Sequence, residues 1–223
     1  MREIQSAPET RATAASEKRL IVAVPTGDAW VASFAGIKLA VTANRDCHKQ
    51  PGCSGCPSCV KCWGGNIFRT EWNPDDHLPH DPMGELGLGD NIDRLPPLGD
   101  ALPYVDIGTN RLAVAIQSGM RFTCVLLDDG GLKCWGSNHF GQLGQGDEDV
   151  RGDEPGEIGD DLPTIDFGDG RSVRAFSLHD VTPCAQLDDG SMKCRGHQTG
   201  AGATPDSMGD NLAPVATAAD LGG

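Results

Sequence analysis

The sequence predicts an all-β chain built from tandem copies of one small sheet, and three observations carry that expectation. Glycine and proline account for 30 and 15 of the 223 residues, which interrupts helical periodicity before about a dozen residues can accumulate. Short runs rich in strand formers, such as Arg121–Leu127 (RFTCVLL) and Gly131–Gly136 (GLKCWG), flank an Asp-Gly turn in the manner of a β-hairpin. The same runs then recur at a fixed distance, the mark of a duplicated supersecondary unit.

The repeat is read from its landmarks. Phe122–Gly136 (FTCVLLDDGGLKCWG) aligns with Thr182–Gly196 (TPCAQLDDGSMKCRG) at an offset of 60, and Leu102–Gly108 (LPYVDIG) aligns with Leu162–Gly168 (LPTIDFG) at the same offset. Gly84–Asp90 (GELGLGD) matches Gly141–Asp147 (GQLGQGD) at 57. An earlier copy is distorted: Val31–Gly36 resembles Val114–Gly119 and KCWG recurs at Lys61–Gly64, but expansions of 11 and 15 residues separate its landmarks. The expected organisation is a flexible tail over 1–18 and an incomplete repeat domain over 19–223. Its units cover about 29–108, with Cys-rich and Pro/Asp/His-rich insertions, then 112–168 and 172–222. The tail is polar and too poor in apolar residues to offset the entropy of ordering.

Composition excludes several classes. The formal charge of −14 repels phosphate backbones and anionic lipid surfaces, so no nucleic-acid partner is expected. The longest apolar stretch, Ala29–Ala43, spans 15 residues including Lys38, whereas a bilayer helix needs about 20, so no membrane insertion is expected. Glu3, Glu9 and Glu17 occupy the zone where an export signal would be apolar. Nine cysteines nevertheless point toward disulfides or metal. The two readings conflict over compartment: paired cysteines suggest an extracellular or cell-envelope location, and this chain shows no signal peptide.

LDDGG and LDDGS suit a three-residue hairpin loop, a type I turn followed by a left-handed residue at Gly130 or Gly190. With Leu127 opposite Gly131, counting back sets Leu126 against Leu132, Val125 against Lys133 and Cys124 against Cys134. The second hairpin sets Cys184 against Cys194. Facing residues in an antiparallel pair are close enough for a disulfide. Two small buried thiols packed as hydrophobes remain the alternative. Cys47, Cys53, Cys56, Cys59 and Cys62 form a separate set. Four of them, C-x2-C-x2-C-x2-C, offer an alternative Zn or Fe–S site from Cys53, Cys56, Cys59 and Cys62, against disulfides within the inserted loop or unpaired thiols. Cys62 already belongs to the repeated KCWG strand. No metal is favoured and no cofactor is expected.

Trp135–Gly146 reads WGSNHFGQLGQG, and with the TC…LDDG…KC hairpin before it the segment resembles the repeat of the regulator of chromosome condensation family, in particular its bacterial cysteine-containing variants. Trp135, Gly136, Asn138, Gly141, Gln142, Leu143 and Gly144 carry the match as repeat-structural residues. The third unit departs from the pattern with Arg195 in place of Trp and no GQLG segment. The resemblance implies a β-propeller in which each repeat supplies a four-stranded blade, here about three propeller-type blades of an incomplete β-propeller. At least four blades are needed to close a ring. The expectation is therefore a fragment or divergent copy, or a partial ring completed by self-association.

The function expected is a non-catalytic repeat scaffold for protein–protein recognition through its blade loops, with an unknown protein partner. Two alternatives are a guanine-nucleotide exchange factor-like regulator of a small GTPase, implied by the resemblance, and a Cys-rich metal-binding protein. An enzyme is not expected, because no GxSxG, P-loop or HExxH run is present and no nucleophile can be named. Arg151-Gly152-Asp153 reads as a structural turn rather than an adhesion motif, and the acids at Asp147–Asp149, Asp153 and Glu154 read as a solvated loop.

Overall fold

The structure, a computed structural model, describes residues 22–23, 30–34, 37–42, 59–64, 66, 83–94, 102–196, 199 and 202–215. The tail over 1–18, Cys47, Cys53 and Cys56 lie outside the described residues, and of Cys59 only the backbone is described.

The described chain is all-β, with ten strands in three antiparallel sheets and a few 3-10 turns. The first sheet joins β2 (Trp30–Phe34), β3 (Ile37–Thr42) and β4 (Cys59–Gly64). The second joins β5 (Ala113–Ser118), β6 (Phe122–Leu127) and β7 (Leu132–Gly136). A two-residue strand, β1 (Val22–Ala23), adds to the free edge of β5. The third sheet orders β8 (Val173–His179), β9 (Thr182–Leu187) and β10 (Met192–Cys194). Each sheet is extended by one further segment on its outer side. Val105 N–H donates to Val60 O at 2.9 Å, Ile165 N–H to Leu132 O at 2.8 Å, and Val215 N–H to Met192 O at 2.8 Å. Three blade-type sheets of an incomplete propeller result.

The hairpins adopt the register that their loops require. Gly130 and Gly190 take φ of 82° and 83°, a left-handed conformation costly for any residue with a Cβ. Leu127 N–H donates to Gly131 O, and Leu126 lies opposite Leu132, Val125 opposite Lys133 and Cys124 opposite Cys134. Cys184 lies opposite Cys194. A bulge at Val114 in β5 recurs at Arg174 in β8, so the duplication extends to irregularities of the ladder.

The blades cohere by burying faces against each other. One core, between the first and second sheets, includes Val60, Cys62, Leu86, Ile116, Val125 and Trp135. A second, between the second and third sheets, includes Cys124, Leu126, Leu132, Phe176, Ala185 and Leu187. Strand β6 is buried throughout because it has a neighbour on both faces, whereas β8 and β9 alternate with exposed positions. The edges are also bridged. The Gln117 amide donates to Phe176 O at 2.9 Å and accepts from Leu178 N–H at 3.3 Å, doing for the rim of β8 what a paired strand would do.

Leu132 and Met192 hold the same repeat position, one sealed between sheets and the other partly open. Leu132→Ala is expected to lower unfolding free energy by about 2–5 kcal/mol and Met192→Ala by less than about 1 kcal/mol, read from urea denaturation. Equal costs would contradict the packing.

Candidate functional site

Two ends of the blades carry the polar repeat residues. At one end, an asparagine cage closes the loop after the third strand. Asn138 Oδ1 accepts from Leu143 N–H at 2.9 Å and its Nδ2 donates to Asp147 O at 2.9 Å. Asn66 makes the same bonds, with its Oδ1 accepting from Leu86 N–H and its Nδ2 donating to Asp90 O. Arg151 pairs with Asp147 as Arg94 pairs with Asp90. The first unit thus rebuilds the loop of the second even though the chain from Asn66 to Gly84 is 15 residues longer than that from Asn138 to Gly141. Arg151 also bridges Gly136 through the backbone and Gly152 O accepts from Gly89 N–H, so the RGD tripeptide is structural punctuation.

Each such loop receives a side chain from the next blade. Trp135 Nε1–H donates to Glu85 O at 3.1 Å, and the indole lies so close to Gly87 that a Cβ there would stand 2.5 Å from Nε1. At the following interface Arg195 takes the place of the indole. Its Nε–H donates to Gln142 O at 3.1 Å, and a Cβ on Gly144 would stand 2.3 Å from Nε. Arg195 is 0% exposed, its Nη2 donates to Cys134 Sγ at 3.5 Å, and its Nη1 has no hydrogen-bond partner among the described residues. Desolvation pulls the guanidinium down to about 9, so it stays charged at neutral pH. Arg195 was legible as a departure from the Trp pattern, but its burial as a charge was not.

Glu85 is a second buried charge in this arrangement. It stands where the next unit has Gln142 and is 7% exposed. Burial pushes its carboxyl up to about 7, against the lowering influence of Arg121. Gln142, by contrast, keeps its amide satisfied, accepting from Phe140 N–H at 2.9 Å.

The opposite end gathers the Asp-rich turns and is the candidate recognition surface. Asp128 Oδ1 accepts from Leu112 N–H at 3.1 Å, and Asp129 Oδ1 caps Gly131 N–H at 3.0 Å. Sixty residues on, Asp189 Oδ1 accepts from Ser191 N–H and Oγ, and the Ser191 hydroxyl is the main cause that holds the Asp189 carboxyl below its ordinary value. Arg111 lies 2.6 Å from Asp129 Oδ2 and Arg171 lies 3.3 Å from Asp189 Oδ2. Both tips are tied to the Ser172–Val173 segment, since Val173 N–H donates to Gly130 O and Asp188 N–H to Ser172 O. A groove of about 250 Å³ beside the first tip is lined by Leu126, Asp128, Asp129, Val173 and Arg174 among others. Beneath the tips, Lys133 Nζ donates to Gly159 O, and Lys193 Nζ donates to Phe167 O and Gly209 O. Sequence reasoning passed over these lysines, although their recurrence in KCWG and KCRG was a usable signal.

The sulfur atoms of Cys124 and Cys134 stand 2.02 Å apart and those of Cys184 and Cys194 stand 2.01 Å apart, at disulfide distance. Cys62 is free and buried between the first two sheets, its thiol pushed upward by desolvation. Its cross-strand neighbour is Leu39, where the other two blades have cysteine. The alternative metal set of Cys53, Cys56, Cys59 and Cys62 therefore has one member committed to the core. Among the described residues no group of three metal-ligating side chains converges.

An all-β array of blades whose loops interlock defines a propeller-repeat protein. Within it residues 113–142 match the model of the regulator of chromosome condensation (RCC1) repeat. No curated protein matches the chain. Among solved structures it is similar to human WBSCR16, at 15% identity and a TM-score of 0.48, covering 82% of this chain and 38% of that one. It is also similar to Prp20p from Saccharomyces cerevisiae, whose structure title names its binding properties to Gsp1p and histones. There the identity is 18%, the TM-score 0.45, and the coverage 82% and 32%. Yeast RCC1 (Prp20) bound to Kap60 gives 19%, 0.37, 82% and 31%. The chain thus spans well under half the length of these proteins.

Two substitutions test the buried charges. Arg195→Trp restores the side chain that Trp135 shows to fit the slot, and is expected to raise stability at pH 7 by about 1–3 kcal/mol in urea denaturation; a loss would contradict the equivalence of the two interfaces. Glu85 binds its proton more tightly in the fold than unfolded. Wild type should lose stability as pH rises from 4.5 to about 7. Glu85→Gln should lack that slope and exceed wild type by up to about 3 kcal/mol at higher pH. Parallel curves for the two proteins would remove the assignment.

Proposed function

We propose that the chain is a non-catalytic repeat scaffold that recognises a protein partner through the hairpin tips at its Asp-rich end, and that the partner presents a basic segment. One observation carries the reading: the same carboxylate pair, Asp128-Asp129 and Asp188-Asp189, is offered twice on turns that are each hydrogen-bonded to the shared Ser172–Val173 segment. A rigid, repeated charge pattern favours a partner with cationic groups at matching spacing, since fixed tips lose little freedom on binding. The groove between the first tip and Ser172–Arg174 adds apolar surface from Leu126 and Val173 to an otherwise charged rim. The facing cysteines act in this reading as hairpin clamps that hold the tips in register. The overall charge of −14 steers a basic partner toward the molecule and away from like-charged surfaces.

A fluorescent Lys/Arg-rich peptide titrated with the full chain tests this by anisotropy. Binding that weakens at high salt, and by about tenfold or more when Asp128, Asp129, Asp188 and Asp189 are all changed to Asn, is expected. Asparagine keeps the oxygen that accepts from the turn backbone, so the tips stay folded. Equal binding of the variant, or of an acidic control peptide by wild type, would overturn the reading.

A further inference from the structure

The two hairpin sulfur pairs are identical in the repeat but differ in what surrounds them. Cys124 and Cys134 are both 0% exposed, sealed between the second and third sheets. Cys184 is half-buried and lines an open groove of about 290 Å³ with Ala175, Phe176, Ser177, Gln186 and Met192, while Cys194 is 8% exposed and does not line it. Sheet register arranges the sulfurs in a row. In the third sheet Cys194 faces Cys184, and Cys184 faces Ser177 on the next strand. In the second sheet the row is Cys134, Cys124 and Gln117.

A thiolate attacks a disulfide along the S–S axis, from the side opposite the departing sulfur. Across the sheet from Cys194, the residue beyond Cys184 is Ser177, a short side chain that lines the groove with it. Beyond Cys124 the corresponding residue is Gln117, whose amide is bonded to Phe176 O and Leu178 N–H of the third sheet.

We propose that Cys184 is a site of thiol–disulfide exchange with a low-molecular-weight thiol. The incoming thiolate bonds to Cys184 Sγ, the Cys184–Cys194 bond breaks, and its electron pair leaves on Cys194 Sγ, which takes a proton from solvent. The product is a mixed disulfide on Cys184 and a free thiol at Cys194, with no net oxidation. Excess thiol displaces Cys184 in a second exchange, which leaves two protein thiols and the oxidised dimer of the reagent. Access, rather than leaving-group strength, sets the order of opening. The Arg195 guanidinium beside Cys134 Sγ would stabilise a departing Cys134 thiolate, yet Cys124 is fully buried and so shielded from an attacker.

The test treats the full oxidised chain with reduced glutathione, quenches with iodoacetamide at intervals and maps peptides by mass spectrometry. The expected result is glutathione on Cys184 and alkylation on Cys194 at a rate at least about tenfold above opening of the Cys124–Cys134 pair. Ser177→Gln is expected to slow the adduct several-fold by filling the line of approach. Glutathione on Cys194, equal opening of both pairs, or four alkylatable thiols at these positions before treatment would overturn the proposal. An unchanged rate in Ser177→Gln would overturn the in-line path, while the assignment of the adduct in wild type stands on its own measurement.

Discussion

Everything described depends on one contact, the docking of a side chain from one blade onto the Gly-x-Leu-Gly loop of the blade before it. A sheet of three short strands has two faces and little bulk, and it cannot bury both faces alone. The loop offers a backbone carbonyl and a glycine without a side chain, and the next blade fills the space with an N–H donor on a large flat group. At Glu85 O that group is the Trp135 indole, and at Gln142 O it is the Arg195 guanidinium. Indole and guanidinium share planarity and a donor, which explains why one slot accepts both. They differ in charge, so the second interface retains a cation that has no carboxylate beside it among the described residues.

The interfaces repeat, but their polar content drifts from one to the next. Glu85 and Gln142 exchange a carboxyl for an amide at one position, and Leu39 stands where the later sheets place cysteine. The outer face of the third sheet continues this drift: Ser177, Gln186 and Met192 replace the larger or more apolar Gln117, Leu126 and Leu132 that the second sheet buries. Positions that are core in one copy become surface in another, and the side chains follow the loss of a neighbour. The loop cages, in contrast, are kept nearly atom for atom. A cage satisfies backbone N–H groups that water cannot reach, and such groups tolerate no substitute for the asparagine oxygen.

The sequence by itself determined the sheet hairpins, their register and the number of blade-type units, because turn chemistry and strand alternation act over a few residues and a repeat states them more than once. LDDGG sets Cys124 against Cys134 by counting alone, and WGSN…GQLG marks the loop that Asn138 closes. The rest depended on which residues of distant units come together. Nothing near Arg195 in the chain says that its guanidinium is sealed against Gln142, and nothing near Glu85 says that its backbone carbonyl meets the Trp135 indole or that its carboxyl is buried. Likewise LDDGG and LDDGS give no hint that one sulfur pair is covered and the other open. Those properties come from stacking, which sets burial and the local dielectric across 50 to 60 residues of separation, and only the assembled blades decide them.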